Sequence, residues 1–214
     1  MAYVLHVDSL FSSPWGMSVF VALHEKGLPF SVETVDLAAG EQHGAYANRA
    51  LTARVPALAD GDFVLTESTA MTEYLEECCP APAYPALYPR DRAHRAQARQ
   101  VQAWIRTDLA ALRAERDTET VFFGKECAPL TPAGLAAAAK LIHVAGQLIQ
   151  GRHLFGDWSI ADVDLALMLQ RLIVNGDPVP PALQEYAAVQ WQRPAIQQWL
   201  ARHRPASRGR WPPA

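Results

Sequence analysis

No apolar run in this 214-residue chain approaches the ~20 residues that cross a bilayer, which excludes a transmembrane helix and argues against a membrane partner. The chain opens directly on a strand pattern without a charged-then-apolar leader, so no signal peptide is expected. Cysteine is scarce. Cys78 and Cys79 are adjacent, poor geometry for an ordinary disulfide, and Cys127 stands apart with Pro129 just behind it. No CxxC or ligand spacing occurs, so no metal site is expected, and the odd count of three cysteines points to a reducing compartment, the cytoplasm. An excess of charge is lacking too. A net charge of −3 gives no electrostatic footprint for nucleic acid, and Arg95 and Arg99 are spaced as on the solvated face of a helix. No internal repeat is visible.

What remains is an ordinary globular composition, 50% apolar and 19% charged, on a length that suits one large domain or two small ones. Tyr3, Leu5 and Val7 alternate with Val4, His6 and Asp8, the period of a short strand. Met17, Phe20, Val21 and Leu23 then keep helical spacing up to Lys26, closed by Gly27 and Pro29. The joint between them is Ser12-Ser13-Pro14-Trp15. Serine at an N-cap with proline at the first helical position is a helix-start signal. The hydroxyl accepts an orphan N–H, and proline has none to leave orphaned. Such a joint is in the first place a cap; it is also a hydroxyl at the positive end of a helix, a setting that favours phosphate, carboxylate or thiolate.

A second strand is expected at residues 31–37, making a βαβ unit with parallel strands. Residues 38–52 read as a loop with room for one short helix. Val55 to Ala59 and Phe63 to Leu65 flank Asp60-Gly61-Asp62 as a hairpin, and a helix runs from Ala70 to Cys78 after the possible caps in Thr66-Glu67-Ser68-Thr69. Residues 1–80 therefore read as a small α/β domain. Prolines at 80, 82, 85 and 89 make 81–90 a linker. Residues 91–214 read as all-helical: one long amphipathic helix over 91–116, an alanine-rich one over 132–150, and a final one over 194–203. Ser159 and Asp162 form a capping box ahead of a helix, Val163 to Ile173, that is apolar almost all round and so central.

An α/β layer of this order, a proline-rich linker and a helical second half resemble, over the whole chain, the cytosolic glutathione transferases. The features that carry the resemblance are Ser13-Pro14-Trp15 followed by Val21-Ala22-Leu23, Arg54-Val55-Pro56, Glu67-Ser68, and Ser159 with Asp162 after Phe155-Gly156. Within that family the chain is most similar to small serine-type bacterial members, through Gln100-Val101-Gln102-Ala103-Trp104 and Phe155-Gly156-Asp157-Trp158.

The resemblance implies a thioredoxin-like domain followed by an all-α domain. It also implies a homodimer, and a glutathione S-transferase that joins the glutathione thiolate to small electrophiles, with glutathione-dependent peroxide reduction as a further activity. Glutathione would be the cosubstrate, and no tightly bound cofactor is expected. Ser13 would donate to the glutathione sulfur, with Ser12 as its rival by one residue of register. Val55 would pair with the cysteinyl backbone across a cis Pro56, where the residues alone suggest a trans proline at the mouth of an edge strand. Glu67 and Ser68 would hold the γ-glutamyl end and Arg54 or His43 the glycyl carboxylate; taken alone, these are helix caps and surface groups. Phe11, Trp15, Trp104, Asp108 and Leu112 are candidate walls for the electrophile, with Trp211 as a cover, although each also suits plain packing or exposure. Two other readings follow from the same pattern: a non-catalytic binding or regulatory protein of this fold, and a glutathione-dependent isomerase.

Overall fold

The computed structural model describes residues 2–149 and 151–202. By contact the chain divides into two compact units. One comprises the residues up to Leu87 together with the segment from Pro194; the other is Tyr88–Arg193.

The first unit is a four-stranded mixed sheet with helices. Strand β1 (Tyr3–Asp8) runs into helix α1 (Pro14–Glu25), which returns to β2 (Phe30–Val35), parallel to β1 in the register Tyr3↔Phe30 to Asp8↔Val35. A single 3₁₀ turn, Glu41–His43, interrupts the loop that follows. Strands β3 (Ala57–Asp60) and β4 (Phe63–Thr66) form the hairpin, and the sheet order is β2-β1-β3-β4. Helix α2 (Ser68–Cys78) follows β4. Leu5 and Val7 are buried on one face of β1 and His6 and Asp8 on the other, because successive side chains alternate across a sheet that is covered on both sides.

One buried cation fastens this unit. Lys26 Nζ pairs with Glu76 at 2.8 Å and donates to the carbonyls of Cys79 at 2.7 Å and Pro85 at 3.0 Å, while Glu76 accepts the Leu87 N–H at 3.0 Å. The end of α1, the end of α2 and the proline-rich stretch, which contains a cis bond at Ala81–Pro82, thus share one charged knot.

The second unit is helical: α3 (Arg92–Thr107), α4 (Ala110–Glu115), α5 (Thr118–Phe123), α6 (Pro132–Leu148), α7 (Ile160–Ile173) and α8 (Pro181–Trp191). Helix α7 is buried over almost its whole length and packs against α3 and α8. Its capping box is formed: Asp162 Oδ2 accepts the Ser159 N–H at 2.8 Å and the Ser159 hydroxyl at 3.1 Å. Asp162 Oδ1 meanwhile takes the Leu154 N–H at 2.8 Å and the Tyr186 hydroxyl at 2.9 Å.

The observed helices differ from the sequence expectation at several points. The helix expected over 91–116 breaks at Leu109, where ψ is 35°. The break is capped by Arg113, whose guanidinium donates to the carbonyls of Ile105 (2.6 Å) and Arg106 (2.7 Å) in place of ladder bonds. Helices α5 and α8 occupy stretches that the periodicity left unassigned; each is short, and α5 is marked by the Asp117 cap and by Gly124 at φ 62°. The final helix, α9 (Pro194–Leu200), belongs to the first unit, with Trp199 and Ile196 buried and the helix packed on α1.

Candidate active site

Register fixes which loops meet in the first unit. Ala57, the first residue of β3, pairs with both His6 of β1 and Thr66 of β4. The carboxyl end of β1, the amino end of β3 and the carboxyl end of β4 therefore lie at one end of the sheet, neighbouring strands being about 5 Å apart. Ser12-Ser13, Val55-Pro56 and Glu67-Ser68 all leave that end. Helices α1 and α2 also start there, and each brings a positive dipole end to it.

The same three loops hold every non-glycine residue with positive φ among the described residues: Phe11 at 55°, Ala53 at 50° and Glu67 at 71°. Side chains rarely adopt that region, and such strain collects where a backbone is held in place for a purpose. The Val55–Pro56 bond is cis.

At the start of α1, Ser13 is the N-cap, and its hydroxyl oxygen accepts the Gly16 N–H at 3.1 Å. Ser12 is differently engaged. Its N–H and its hydroxyl both donate to Asp8 Oδ2, at 2.7 and 2.8 Å, while the Ser13 N–H donates to Asp8 Oδ1 at 2.8 Å. Among the described residues the Ser13 hydroxyl hydrogen has no acceptor. Sequence reasoning did not single out Asp8; a signal was present in an acidic residue ending a strand four positions before a serine.

The other face of the joint is aromatic. Phe11 meets Trp199 edge-on at 5.2 Å, and the Arg202 guanidinium lies 5.6 Å from the Phe11 ring. Gly16 leaves room for this: a Cβ there would come within 3.1 Å of the Trp199 ring and 3.2 Å of the Ser13 Cβ.

The remaining sequence-derived residues fall as follows. Glu67 is exposed and precedes α2, its carbonyl accepting the Met71 N–H, and Ser68 is buried at the first turn. Arg54 is exposed, and its carbonyl accepts the Tyr46 hydroxyl at 2.7 Å. His43 is exposed at the end of the 3₁₀ turn. Phe11 and Trp15 are half-buried in the first unit. Trp104, Asp108 and Leu112 belong to the second, where Trp104 Nε1 donates to Asp108 Oδ2 at 2.8 Å and Lys140 Nζ pairs with the same oxygen at 2.5 Å. Those two contacts, Lys140 first, hold the Asp108 carboxyl below the usual carboxylate range. Leu112 is buried in the helical core, and Trp211 lies outside the described residues.

A cavity of about 410 Å³ opens elsewhere on the first unit, lined by His6, Glu33, Tyr46, Arg49 and Val64, and none of the candidate residues reaches it. Burial pushes the His6 imidazole below its ordinary pKa against the pull of Glu33, and pushes Tyr46 up to about 12. No group of three or more His, Cys, Asp or Glu side chains among the described residues could hold a metal ion, and no described helix is long and apolar enough to cross a membrane.

Two family patterns match the chain: "Glutathione S-transferase, N-terminal domain" over residues 12–78 and "Glutathione S-transferase, C-terminal domain" over residues 91–204. The human protein glutathione S-transferase theta-1 is 35% identical over 159 residues, covering 72% of this chain and 63% of its own length, so the chain spans less than two thirds of that relative. Maleylpyruvate isomerase of Ralstonia sp. is 34% identical over 175 residues, 75% of this chain and 80% of that protein. Among solved structures, a glutathione transferase homologue from Burkholderia gl BGR1 with bound glutathione is 43% identical, with a TM-score of 0.79 over 96% of this chain and 100% of its own.

Proposed function

The chain belongs to the glutathione S-transferase family, and on that premise we propose that it is a serine-type transferase that joins the glutathione thiolate to small electrophiles, with peroxide reduction as a further activity of the same site. The attacking atom belongs to glutathione. Ser13 touches it as a hydrogen-bond donor. A thiol of unperturbed pKa ~8.5 is largely protonated at neutral pH, and each tenfold gain in its ionisation constant requires roughly 1.4 kcal/mol in favour of the thiolate. One charge-assisted hydrogen bond and the end of a helix supply energies of that order. The observation that carries this reading is the contrast between the two serines: Ser12 gives its hydrogen to Asp8, and Ser13 keeps its own available at the start of α1.

In this proposal Val55 pairs with the cysteinyl backbone. Glu67 accepts from the γ-glutamyl amine, the Ser68 hydroxyl and the start of α2 meet its carboxylate, and Arg54 or His43 meets the glycyl carboxylate. Convergence of their loops at one end of the sheet supports the assignment. Phe11, Trp15, Trp104 and Asp108 are proposed for the electrophile side. Family membership supports a cytoplasmic homodimer with a boundary near residues 81–90 between the two domains. A second reading, glutathione-dependent isomerisation of a cis-unsaturated acid, is favoured by the likeness to the Ralstonia isomerase.

The test is turnover of glutathione with a panel of an aryl halide, an epoxide, an organic hydroperoxide and maleylpyruvate. Conjugate or product is expected with at least one, and Ser13→Ala should lower kcat/KM about 100-fold, the usual cost of one preorganised donor. Isomerisation without any conjugation selects the second reading. Tight glutathione binding with no turnover on the whole panel selects a binding protein and overturns both.

A further inference from the structure

The carboxylate of Asp8 lies at the end of β1, 4% exposed, and the chain wraps around it. The Phe11 N–H donates to the Asp8 carbonyl at 3.0 Å and closes a turn; Phe11 then takes φ 55°, which reverses the chain so that the next two N–H groups point back at the side chain. Ser12 N and Ser13 N reach Oδ2 and Oδ1, and Ser12 Oγ completes the set at 2.8 Å. Successive N–H groups directed at one anion form a nest, and an ionised carboxylate can only accept. The hydrogen between Ser12 Oγ and Asp8 is therefore Ser12's. Ser13, by contrast, uses its oxygen for Gly16, and its own hydrogen meets no acceptor among the described residues. The two hydroxyls are chemically alike and adjacent, and the carboxylate makes them different.

We propose that Asp8 is the positioning residue of the site: it takes the Ser12 hydroxyl hydrogen and pins the backbone of Ser12 and Ser13, so that the Ser13 hydroxyl alone is left to donate to the glutathione thiolate. The proposal rests on the transferase reading and goes beyond it in naming what selects the working serine. Asp8 touches no reacting atom. Its negative charge would oppose a neighbouring thiolate if it were unpaired, and its three donors offset that charge. Its contribution is geometric.

The experiment is the pH titration of thiolate ultraviolet absorbance of glutathione bound to the full chain as wild type, Ser12→Ala, Ser13→Ala, Asp8→Asn, Asp8→Ala and Asp8→Ala/Ser13→Ala, with KM and kcat measured in parallel. Wild type and Ser12→Ala should ionise the bound thiol in the same pH range. Ser13→Ala should return it to that of free glutathione. Asp8→Asn, similar in shape but offering an NH₂ to donors, should move it part of the way and lower kcat about tenfold or more, with KM for glutathione changed less. In the Asp8→Ala background, Ser13→Ala should cost less than in wild type, because the released Ser12 hydroxyl can substitute. Should Asp8→Ala fail to fold, Asp8→Asn, whose fold is checked by circular dichroism, carries the comparison. A wild-type shift that both Asp8 variants keep in full overturns the assignment of Asp8 and leaves the transferase reading standing. A shift lost in Ser12→Ala and kept in Ser13→Ala overturns the choice of serine. No shift in wild type overturns the transferase reading and the role of Asp8 with it.

Discussion

Ser12 and Ser13 present the same functional group one residue apart, and what separates them is the company of each oxygen: a carboxylate for one, a helix N–H for the other. Space as well as hydrogen bonding holds Ser13. Gly16 sits one turn on, between the Ser13 side chain and the Trp199 ring, where an added methyl would approach both at 3.1–3.4 Å. Gly16→Ala should therefore cost about 1–3 kcal/mol of stability by overpacking and displace the Ser13 hydroxyl. The expected readout is a lower Tm together with a reduced kcat at unchanged secondary structure; an active variant with wild-type Tm would show that the joint has slack. Sequence favours Ser13 through its adjacency to Pro14 and leaves Ser12 as a rival by one residue of register. Ser-Pro adjacency indicates a cap, but the Ser12 engagement depends on a left-handed Phe11, a conformation that no residue type announces.

At the scale of elements, two buried polar clusters tie segments that are distant in sequence. Lys26 and Glu76 are both buried and each serves more than one partner, so removing one strands the other. Lys26→Met should destabilise the protein by about 3–5 kcal/mol in urea unfolding, whereas Lys26→Met with Glu76→Leu should recover part of that loss. An additive double variant would contradict the knot described above. Asp162 accepts four donors from three residues. Asp162→Ala removes a cap and leaves the Leu154 N–H and the Tyr186 hydroxyl without this partner, and the expected cost is again about 3–5 kcal/mol by the same measurement. A change below about 1 kcal/mol would mean that the surroundings re-pair.

This capping box was legible because its residues are three apart and its signal is local. So were β1, α1, the hairpin and α7, whose periods are strong. The break at Leu109 was not, since residues 91–116 keep one continuous apolar stripe and the interruption is held by Arg113 reaching back eight residues. Helices α5 and α8 are short enough for tertiary burial to outweigh pattern, although Pro181 at the start of α8 and its buried Leu183, Ala187 and Trp191 form a usable helical stripe in hindsight.

For the molecule as a whole, His6, His24 and His153 share one direction: burial first, with nearby arginines adding to it, holds each imidazole below its ordinary value. The unfolded chain then binds more protons than the folded one between the depressed folded values and the unfolded value of about 6.5. Stability therefore rises with pH across that window and falls as pH drops through it. Tm measured from pH 7.5 to pH 5 should fall below about pH 6.5, and His6→Gln should flatten part of the fall; a Tm flat over that range would contradict the burial of these rings in the folded state. The proline-rich stretch marks a composition break, yet α9 packs with the first unit despite its place at the far end of the chain, because a buried Trp199 packed on α1 is a tertiary fact without a sequence period.

In the proposed reaction Ser13 stabilises glutathione as a thiolate. Calorimetric titration of glutathione at pH 7, repeated in buffers of different ionisation enthalpy, counts the protons released on binding. Free glutathione arrives mostly protonated, so a bound thiol that titrates at or below roughly 7 should release about half a proton or more per site from wild type. Ser13→Ala should bind glutathione and release close to none. Glutathione bound by wild type without proton release, or release that persists undiminished in Ser13→Ala, would contradict the claim.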